Sequence, residues 1–419
     1  MADDPPRPGP RPVAPWYLAY LILGLINSGM LPFLLPLAVA SRSHDLGDVA
    51  VVIGAYNFGM LPSPLLGALA ERRHLFRAVF FGGFVALAIG LALLPWATRL
   101  AWYAPLALLM GFGVGAAATV APLFVIDFTP RAEWEKRIGW LQGFSGAGQL
   151  AGLLLAGAIV AAPLSVGFRL AASFAALALV LGRIGLPFAT PRPSIRLPHL
   201  AWADLVRAFP GSTLGGPLLH SHHLNRAALA RLPRHLSGPF GRFLLAWGLW
   251  NFGTAPFFAY YPLLMRAIYG VPPAATALVY ALAAGIGILL FVLAGRAAEK
   301  HGDHRLFQAG LLFRLAGFVL LAVLAAASLP GTGPLALLSF ALVVLAWPIL
   351  SVSGTGLAAD LAPAGKGAAM GLLGASGALA TVLGNFLGGW LVEAFGYDIM
   401  LLVAAAGLAG AAVLIVSCP

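Results

Sequence analysis

Gly67-Ala-Leu-Ala-Glu71-Arg72-Arg-His-Leu-Phe-Arg77 is a charged stretch between two long apolar runs, and the chain contains a second copy of it. The second copy is Gly295-Arg-Ala-Ala-Glu299-Lys300-His-Gly302-Asp-His-Arg305, in which the glycine, the acid, the base and the final arginine keep their spacing. Charge between apolar runs is costly in free energy, so its repetition at one spacing requires a structural cause.

Three further pairs of stretches recur at a similar offset. Gly24-Leu-Ile-Asn27-Ser-Gly29-Met-Leu-Pro32-Phe33 matches Gly248-Leu-Trp-Asn251-Phe-Gly253-Thr-Ala-Pro256-Phe257, Asp127-Phe-Thr-Pro130 matches Asp360-Leu-Ala-Pro363, and Gly143-Phe-Ser-Gly146 matches Gly374-Ala-Ser-Gly377. Matched pairs in the same order indicate a duplicated unit, so the two halves of the chain are expected to share one topology.

The composition places most of the chain in a membrane. Apolar residues make up 60% of the 419 positions, charged residues only 9%, and the mean hydropathy is +0.92. Soluble chains have far more charge. The net charge of +11 comes from basic residues in short links, without the basic stripe and stacking aromatics of a nucleic-acid-binding protein. The single cysteine, Cys418, excludes an intramolecular disulfide.

Runs of roughly 20 apolar residues predict membrane-spanning helices. We predict twelve, with eleven and thirteen as alternatives: near 16–40, 48–70, 78–98, 102–127, 139–161, 168–187, 242–265, 273–296, 306–328, 334–358, 368–391 and 398–416. These runs divide the chain into a disordered tail at 1–15, a six-helix bundle at 16–187, a polar linker at 188–241 and a second bundle at 242–419. The linker contains an amphipathic stretch, Ala201–Phe209, and a histidine group that we interpret as solvated loop and not as a metal site: His220, His222 and His223.

The basic residues predict the orientation. If the N-terminus is cytoplasmic, most of the 25 lysines and arginines fall on the cytoplasmic side, many of them in short loops where the positive-inside rule is most reliable. Both termini and the linker are therefore predicted to be cytoplasmic, in a multi-pass protein of a cell membrane, either plasma or inner.

The charged stretch resembles the signature that the major facilitator superfamily has between helices 2 and 3 and again between helices 8 and 9. The second copy matches well, whereas the first has His74 where the family usually has glycine. The resemblance covers nearly the whole chain. It implies an all-α membrane protein of two six-helix bundles related by a pseudo-twofold axis, and a transporter whose partner is a small-molecule solute. We expect a functional monomer in the lipid bilayer, with no enzymatic activity, cofactor or nucleic-acid partner.

The charged loops and helix ends suggest a latch between the halves on the cytoplasmic side. Glu71 and Glu299 lie near bases with which they can pair, and such a cluster could open when the halves rock apart. The alternative is that these charges only set the topology. The residues assigned to the latch are Gly67, Glu71, Arg72, Arg77, Asp127, Gly295, Glu299, Lys300, Gly302, Arg305 and Asp360.

Helices 1, 4, 7 and 10 line the solute path in this family, which directs attention to polar and aromatic residues at mid-span. For each asparagine the alternative to a solute contact is a structural hydrogen bond within or between helices. The candidates for the path and its flanks are Asn27, Asn57, Gln149, Trp250, Asn251, Thr254, Trp347, Ser351 and Asn385. Because proline frees a backbone carbonyl and glycine eases a bend, hinges are predicted at Gly29, Pro32, Gly253 and Pro256.

Ionisable groups restrict the mechanism. All fourteen acidic residues and all nine histidines are predicted to lie in loops, tails or helix ends, whereas proton-coupled carriers generally need a titrating group within the membrane. Arg314 lies within a span, and its interpretation as a snorkelling side chain is favoured over a functional one. Trp16, Trp102, Tyr260 and Tyr261 are typical of interfacial anchors.

Because no acidic residue or histidine is predicted at mid-span, the sequence favours a carrier of a neutral or weakly polar organic solute. The alternatives are a multidrug/proton antiporter and a non-transporting assembly factor with the same fold.

Overall fold

The computed structural model describes residues 15–43, 45–63, 66–67, 69–70, 75–97, 99–128, 134–186, 238–327, 331–361 and 366–416. Several predictions concern residues outside these ranges. They are the tail before residue 15, nearly all of the linker with its amphipathic stretch and its histidines, and Glu71 and Arg72 of the predicted latch.

The described residues include twelve long helices, six on each side of the linker, besides short helical segments within 63–70, at Leu94–Trp96 and at Leu100–Trp102. The first six are α1 (Trp16–Ala40), α2 (Leu46–Met60), α3 (Phe76–Leu93), α4 (Tyr103–Phe128), α5 (Trp134–Ile159) and α6 (Leu164–Gly185). The second six are α7 (Pro239–Tyr269), α8 (Pro273–His301), α9 (Asp303–Ala327), α10 (Gly333–Asp360), α11 (Lys366–Phe395) and α12 (Asp398–Val416). The all-helical fold predicted from the apolar runs is confirmed, and the two-bundle arrangement agrees with it.

In the part of the chain that the structure describes, nine helices are long and apolar enough to cross a membrane. The three that fall short are α2, α5 and α7. Helix α2 ends at Met60, directly before a turn at Leu61 and Pro62, and α5 and α7 contain polar residues such as Gln149 and Asn251. Spans are thus supported for nine helices, and the full count of twelve stays a prediction.

Glycines allow helices within each half to pack at backbone distance. A Cβ atom built on Gly111 of α4 would lie 1.8 Å from the carbonyl oxygen of Tyr56 in α2. In the second half, a Cβ on Gly384 of α11 would lie 2.3 Å from the carbonyl oxygen of Phe252 in α7. Any larger side chain would collide with the partner's backbone, so these glycines determine how closely the helices approach.

The two copies of the asparagine–glycine–proline motif differ in backbone conformation. Residues Leu25–Met30, just before Pro32, form π-helical turns inside α1, whereas α7 remains α-helical through Pro256. Gly29 and Gly253 both lie at close helix contacts, against Gly152 and Gly407 respectively. Packing therefore accounts for both glycines, and bending at these positions stays a prediction.

We call the face of the bundle where α1 begins and α12 ends the terminal face, and the other the opposite face. The halves touch directly near the opposite face. The rings of Phe33 in α1 and Tyr261 in α7 meet edge to face with centroids 5.9 Å apart. A Cβ on Gly157 of α5 would lie 3.1 Å from the Cβ of Ala277 in α8. These contacts close the interior toward the opposite face.

In the described part of the chain, fewer close contacts join the halves toward the terminal face. Gly143 and Gly146 of α5, Gly295 of α8 and Gly374 of α11 lie in the parts of their helices nearer that face. A Cβ built on any of these four glycines would have no described heavy atom within 4 Å, apart from those of the glycine's own helical turn. Among the described residues, the halves therefore make contacts that close the interior near the opposite face and no comparable contacts at these glycines toward the terminal face.

Candidate functional site

A cavity of about 1080 Å³ lies between the two halves. Its walls come from α1, α2 and α5 of the first half and from α7, α8, α9, α10 and α11 of the second. Every residue predicted for the solute path lines it: Asn27, Asn57, Gln149, Trp250, Asn251, Thr254, Trp347, Ser351 and Asn385. The predicted hinge residue Pro32 lines it too. The structure thus brings these residues to one space, and their contact with a solute stays a prediction.

Several amides at the cavity wall also make structural hydrogen bonds. The Tyr56 hydroxyl of α2 donates to Oδ1 of Asn27 in α1, which joins two helices. Nδ2 of Asn57 donates to the Ile53 carbonyl over 3.0 Å, and Nδ2 of Asn251 donates to the Trp247 carbonyl over 2.8 Å. Each of these bonds uses only part of an amide's capacity of two N–H donors and a carbonyl acceptor. A structural role and a solute contact are therefore compatible at these positions.

Aromatic side chains form much of the second-half wall. Trp250 is buried and Trp347 is 43% exposed, and their ring centroids lie 6.0 Å apart. Trp250, Thr254 and Phe258 line the cavity at intervals of four residues, so they share one face of α7. The cavity therefore offers a flat apolar surface beside its polar groups.

Arg314 of α9 is inside the protein and not at a membrane surface. It is 3% exposed and lines the cavity. Its Cζ lies 5.0 Å from the ring centroid of Trp250 and 5.0 Å from that of Phe258. The prediction that this side chain snorkels to the cytoplasmic face is therefore wrong.

Two glycines explain how a residue of α9 reaches the cavity. Gly310 and Gly317 lie one turn before and one turn after Arg314, and both pack against α10. A Cβ built on Gly310 would lie 3.0 Å from Cγ2 of Ile349, and one built on Gly317 would lie 2.8 Å from Cγ2 of Val343. Because α9 approaches α10 closely at these two glycines, the long arginine side chain can extend past α10 to the rings of α7. This packing could have been suspected from the spacing Gly-x-x-x-Arg-x-x-Gly.

Buried polar atoms without a hydrogen-bond partner cluster at the cavity. Among the described residues they include Nε and Nη1 of Arg314, Nε1 of Trp250, the hydroxyl of Tyr261 and Oδ1 of Asn385, and all four residues line the cavity. Native proteins pair nearly all buried polar atoms with protein or water. A concentration of unpaired ones therefore marks a place where water or a ligand completes the bonding.

Three tyrosines at the cavity were not predicted there: Tyr56, Tyr261 and Tyr280. Tyr261 was expected to anchor the chain at the membrane surface with Trp16 and Tyr260, but Trp16 is only 5% exposed and Tyr260 and Tyr261 are fully buried. Trp102, at 60% exposed, agrees with that interpretation. The sequence signal was ambiguous because tyrosine, with an apolar ring and a polar tip, suits an interface and a polar cavity equally.

Comparison with known proteins places this architecture in a family. A sequence profile described as Major Facilitator Superfamily matches residues 16–366, most of the chain. The chain belongs to the major facilitator superfamily. It is a multi-pass membrane protein of that superfamily, and superfamily members are transporters, not enzymes.

Solved structures of transporters share the fold of this superfamily member at low identity. The nucleoside transporter NupG is 14% identical with a TM-score of 0.73, covering 96% of this chain and 98% of its own. A D-xylose-proton symporter is 17% identical with a TM-score of 0.70, and 96% of each chain is covered. The inward-open xylose transporter XylE from E. coli is 18% identical with a TM-score of 0.65, covering 96% and 94%. No curated protein sequence matches the chain.

The described residues of the predicted latch lie at helix ends on the terminal face of this superfamily fold. Glu299 and Lys300 are exposed in the last turn of α8, and Arg305 is exposed in the first turn of α9. Gly302 joins the two helices with φ +83°, a conformation that favours glycine and explains this residue of the charged stretch.

The remaining latch candidates are distributed over the same face. Gly67 is buried, and a Cβ built on it would lie 2.7 Å from Cγ2 of Thr119. The Arg77 guanidinium lies 5.8 Å from the ring centroid of Phe81, and Asp360 is exposed at the end of α10. Asp127 is in the last turn of α4, with its side chain outside the description. A latch formed by these residues stays a prediction.

Proposed function

We propose that this protein is a secondary transporter that moves a small organic solute across a cell membrane by alternating access. The observation that carries the proposal is the cavity between the duplicated halves, which direct contacts close near the opposite face and which, among the described residues, lacks such contacts toward the terminal face. A solute bound between two repeats can exchange sides when one repeat rocks against the other. Because one chain supplies the whole cavity wall described, a monomer suffices for this function.

The basic residues support the direction in which the cavity faces. With both termini in the cytoplasm, as the positive-inside rule predicts, the terminal face is cytoplasmic and the described conformation is inward-facing. The contacts between Phe33 and Tyr261 and between Gly157 and Ala277 then form the closed extracellular side.

The alternatives have less support. No described carboxylate or histidine lines the cavity, so a proton-coupled multidrug antiporter would have to titrate a group elsewhere. An assembly factor without transport does not explain why unpaired polar atoms cluster around an open interior space. The preference for a neutral or weakly polar solute was inferred from the position of all acidic residues and histidines outside the spans, with Arg314 interpreted as snorkelling. Arg314 at the cavity wall removes the second of these two premises.

Alternating access can be tested without knowing the solute. Cys418→Ser removes the only cysteine, and Ser351→Cys then places a reporter thiol at the cavity wall. In proteoliposomes of known orientation, a membrane-impermeant maleimide should label the reporter from the terminal face at once and from the opposite face more slowly. Labelling from the terminal face alone, under all conditions, would contradict alternating access and favour a non-transporting protein.

A reversible lock provides the matched control. A Cβ built on Gly157 would lie 3.1 Å from the Cβ of Ala277, slightly below the distance of about 3.5–4.5 Å that is usual in a disulfide. Adding Gly157→Cys and Ala277→Cys to the reporter protein and oxidising it should stop labelling from the opposite face only. Reduction should restore it. The variant with Gly157→Cys alone should respond to neither treatment.

A further inference from the structure

Arg314 is a cation that the described protein does not neutralise. The carboxylates whose side chains are described lie at or next to helix ends: Asp45, Asp48, Glu299, Asp303, Asp360, Glu393 and Asp398. None of them lines the cavity. An ion removed from water without a counter-ion destabilises the folded protein, and an arginine at the centre of a membrane helix is among the costliest cases. Such a group persists only where something compensates this cost.

The two aromatic rings compensate part of the cost. The guanidinium lies 5.0 Å from the centroids of both Trp250 and Phe258, within cation–π range. Each such contact is electrostatically attractive, because the ring face carries partial negative charge. The rings satisfy none of the N–H donors by conventional hydrogen bonds, however, and Nε and Nη1 are enclosed without an acceptor. Nη2 is not among the enclosed atoms, so a group arriving from the cavity meets the guanidinium there first.

The neighbouring unpaired atoms are mostly donors as well. Nε1 of Trp250 can only donate, and its ring lies against the guanidinium. The hydroxyl of Tyr261 is a further buried group at the same cavity that can donate. Oδ1 of Asn385 is the one of these unpaired atoms that can only accept, and no hydrogen bond joins it to Arg314. The guanidinium with the Trp250 N–H beside it matches the acceptor oxygens of an anion better than the mixed groups of a sugar or an amide.

We propose that the solute is an organic monoanion, a carboxylate with an aromatic or other flat apolar body. Its carboxylate is bound by Arg314 with the Trp250 N–H, and its body packs on the exposed face of Trp347. A single cation in the described wall matches one negative charge, not the two of a phosphate monoester. This inference rests on the proposed transport function and names the substrate class of the same cavity.

The test compares acids with their neutral amides, which have nearly the same shape. The probes are benzoate with benzamide, phenylacetate with phenylacetamide, and indole-3-acetate with indole-3-acetamide. Affinity is measured on the purified full-length protein by thermal shift, and uptake is measured in proteoliposomes. We expect at least one acid to bind wild type about tenfold or more tightly than its amide. If no acid exceeds its amide, the proposal is wrong.

Two arginine variants and one tryptophan variant make the test specific. Arg314→Gln should lower acid affinity about tenfold more than amide affinity and so remove the preference for the acid, and Arg314→Lys should retain part of it. Trp347→Ala should weaken acid and amide alike. An Arg314→Gln protein that still prefers the acid would overturn the proposal. If that variant does not fold, the comparison of acid with amide on wild type decides alone.

The outcome is separable from that of the proposed function. If the Ser351→Cys reporter is labelled from both faces and neutral amides are taken up as well as acids, transport stands and the anion inference fails. If acids bind but the reporter is labelled from the terminal face alone, the binding inference stands and transport fails.

Discussion

Asn251 illustrates how one side chain can serve structure and solute. Its Nδ2 donates to the Trp247 carbonyl, while the residue is half-buried at the cavity wall. We expect Asn251→Ala to reduce solute affinity or uptake about tenfold, because the carbonyl oxygen and the second N–H face the solute space. Folded yield should change little, since the lost bond lies within a single helix. Uptake of the solute found in the acid–amide panel measures the first effect, and size-exclusion chromatography the second.

Thr355→Ala is the matched control for this prediction. Thr355 also bonds a carbonyl in its own helix, that of Ser351 over 3.0 Å, but it is exposed and does not line the cavity. Its substitution should leave uptake unchanged. If Asn251→Ala lowers yield and uptake by equal factors, the asparagine is structural only.

The residue scale shows what a sequence can and cannot predict about the cavity. Polar residues at mid-span are costly in lipid, so their inward orientation could be predicted, and Asn27, Gln149 and Asn385 all line the cavity. Arg314 could not be placed in the same way. Its orientation depends on how closely α9 approaches α10 at Gly310 and Gly317, and hydropathy contains no information about that distance.

At the scale of helices, glycine contacts determine the packing of α2 against α4. Gly111→Ala would place a Cβ 1.8 Å from the backbone oxygen of Tyr56, which cannot move aside as a side chain could. We expect a loss of at least about 1–3 kcal/mol of folding free energy, the usual cost of overpacking. A lower midpoint in a thermal unfolding scan of the detergent-solubilised protein, with reduced yield, would show it.

Gly82→Ala tests whether this effect is due to contact or to helix propensity. Gly82 is exposed in α3, and no described heavy atom outside its own segment lies within 4 Å of a built Cβ. The substitution should be neutral or slightly stabilising, because alanine is the better helix former. Equal midpoints for the two variants would mean that the close approach of α2 and α4 contributes nothing to stability.

The helices themselves were predictable because apolar runs of span length have few alternatives in a membrane. Their irregularities were not. The same motif gives π-helical turns at Leu25–Met30 and continuous α-helix around Pro256. The difference must come from the tertiary surroundings of each copy, because the motif itself is shared. Helix α2 likewise ends at Met60 although the apolar run continues, since a proline follows two residues later.

At the scale of the whole molecule, the duplication implies two similar halves but not the angle between them. The contact between Gly157 and Ala277 and the open surroundings of Gly143 and Gly374 belong to one conformation. In the proposed alternating access, the open and closed arrangements use the same helices and the same cavity. No pattern in the sequence could have distinguished them, because their free energies differ by only a few kcal/mol in a protein that alternates.

The predicted latch would affect the relative populations of the terminal-open and terminal-closed conformations. Glu299 is exposed on the open terminal face in the described conformation. If it pairs with a base when that face closes, Glu299→Gln weakens the closed state and shifts the population toward the terminal-open one. Exposed ion pairs contribute about 0.2–1 kcal/mol, so the shift should be at most about fivefold. The Ser351→Cys reporter should be labelled faster from the terminal face and more slowly from the opposite face.

Asp398→Asn is the control, because it is the same type of change at the exposed start of α12 on the opposite face. It should leave both labelling rates unchanged. Unchanged rates in Glu299→Gln as well would show that the repeated charges only set the topology of the chain.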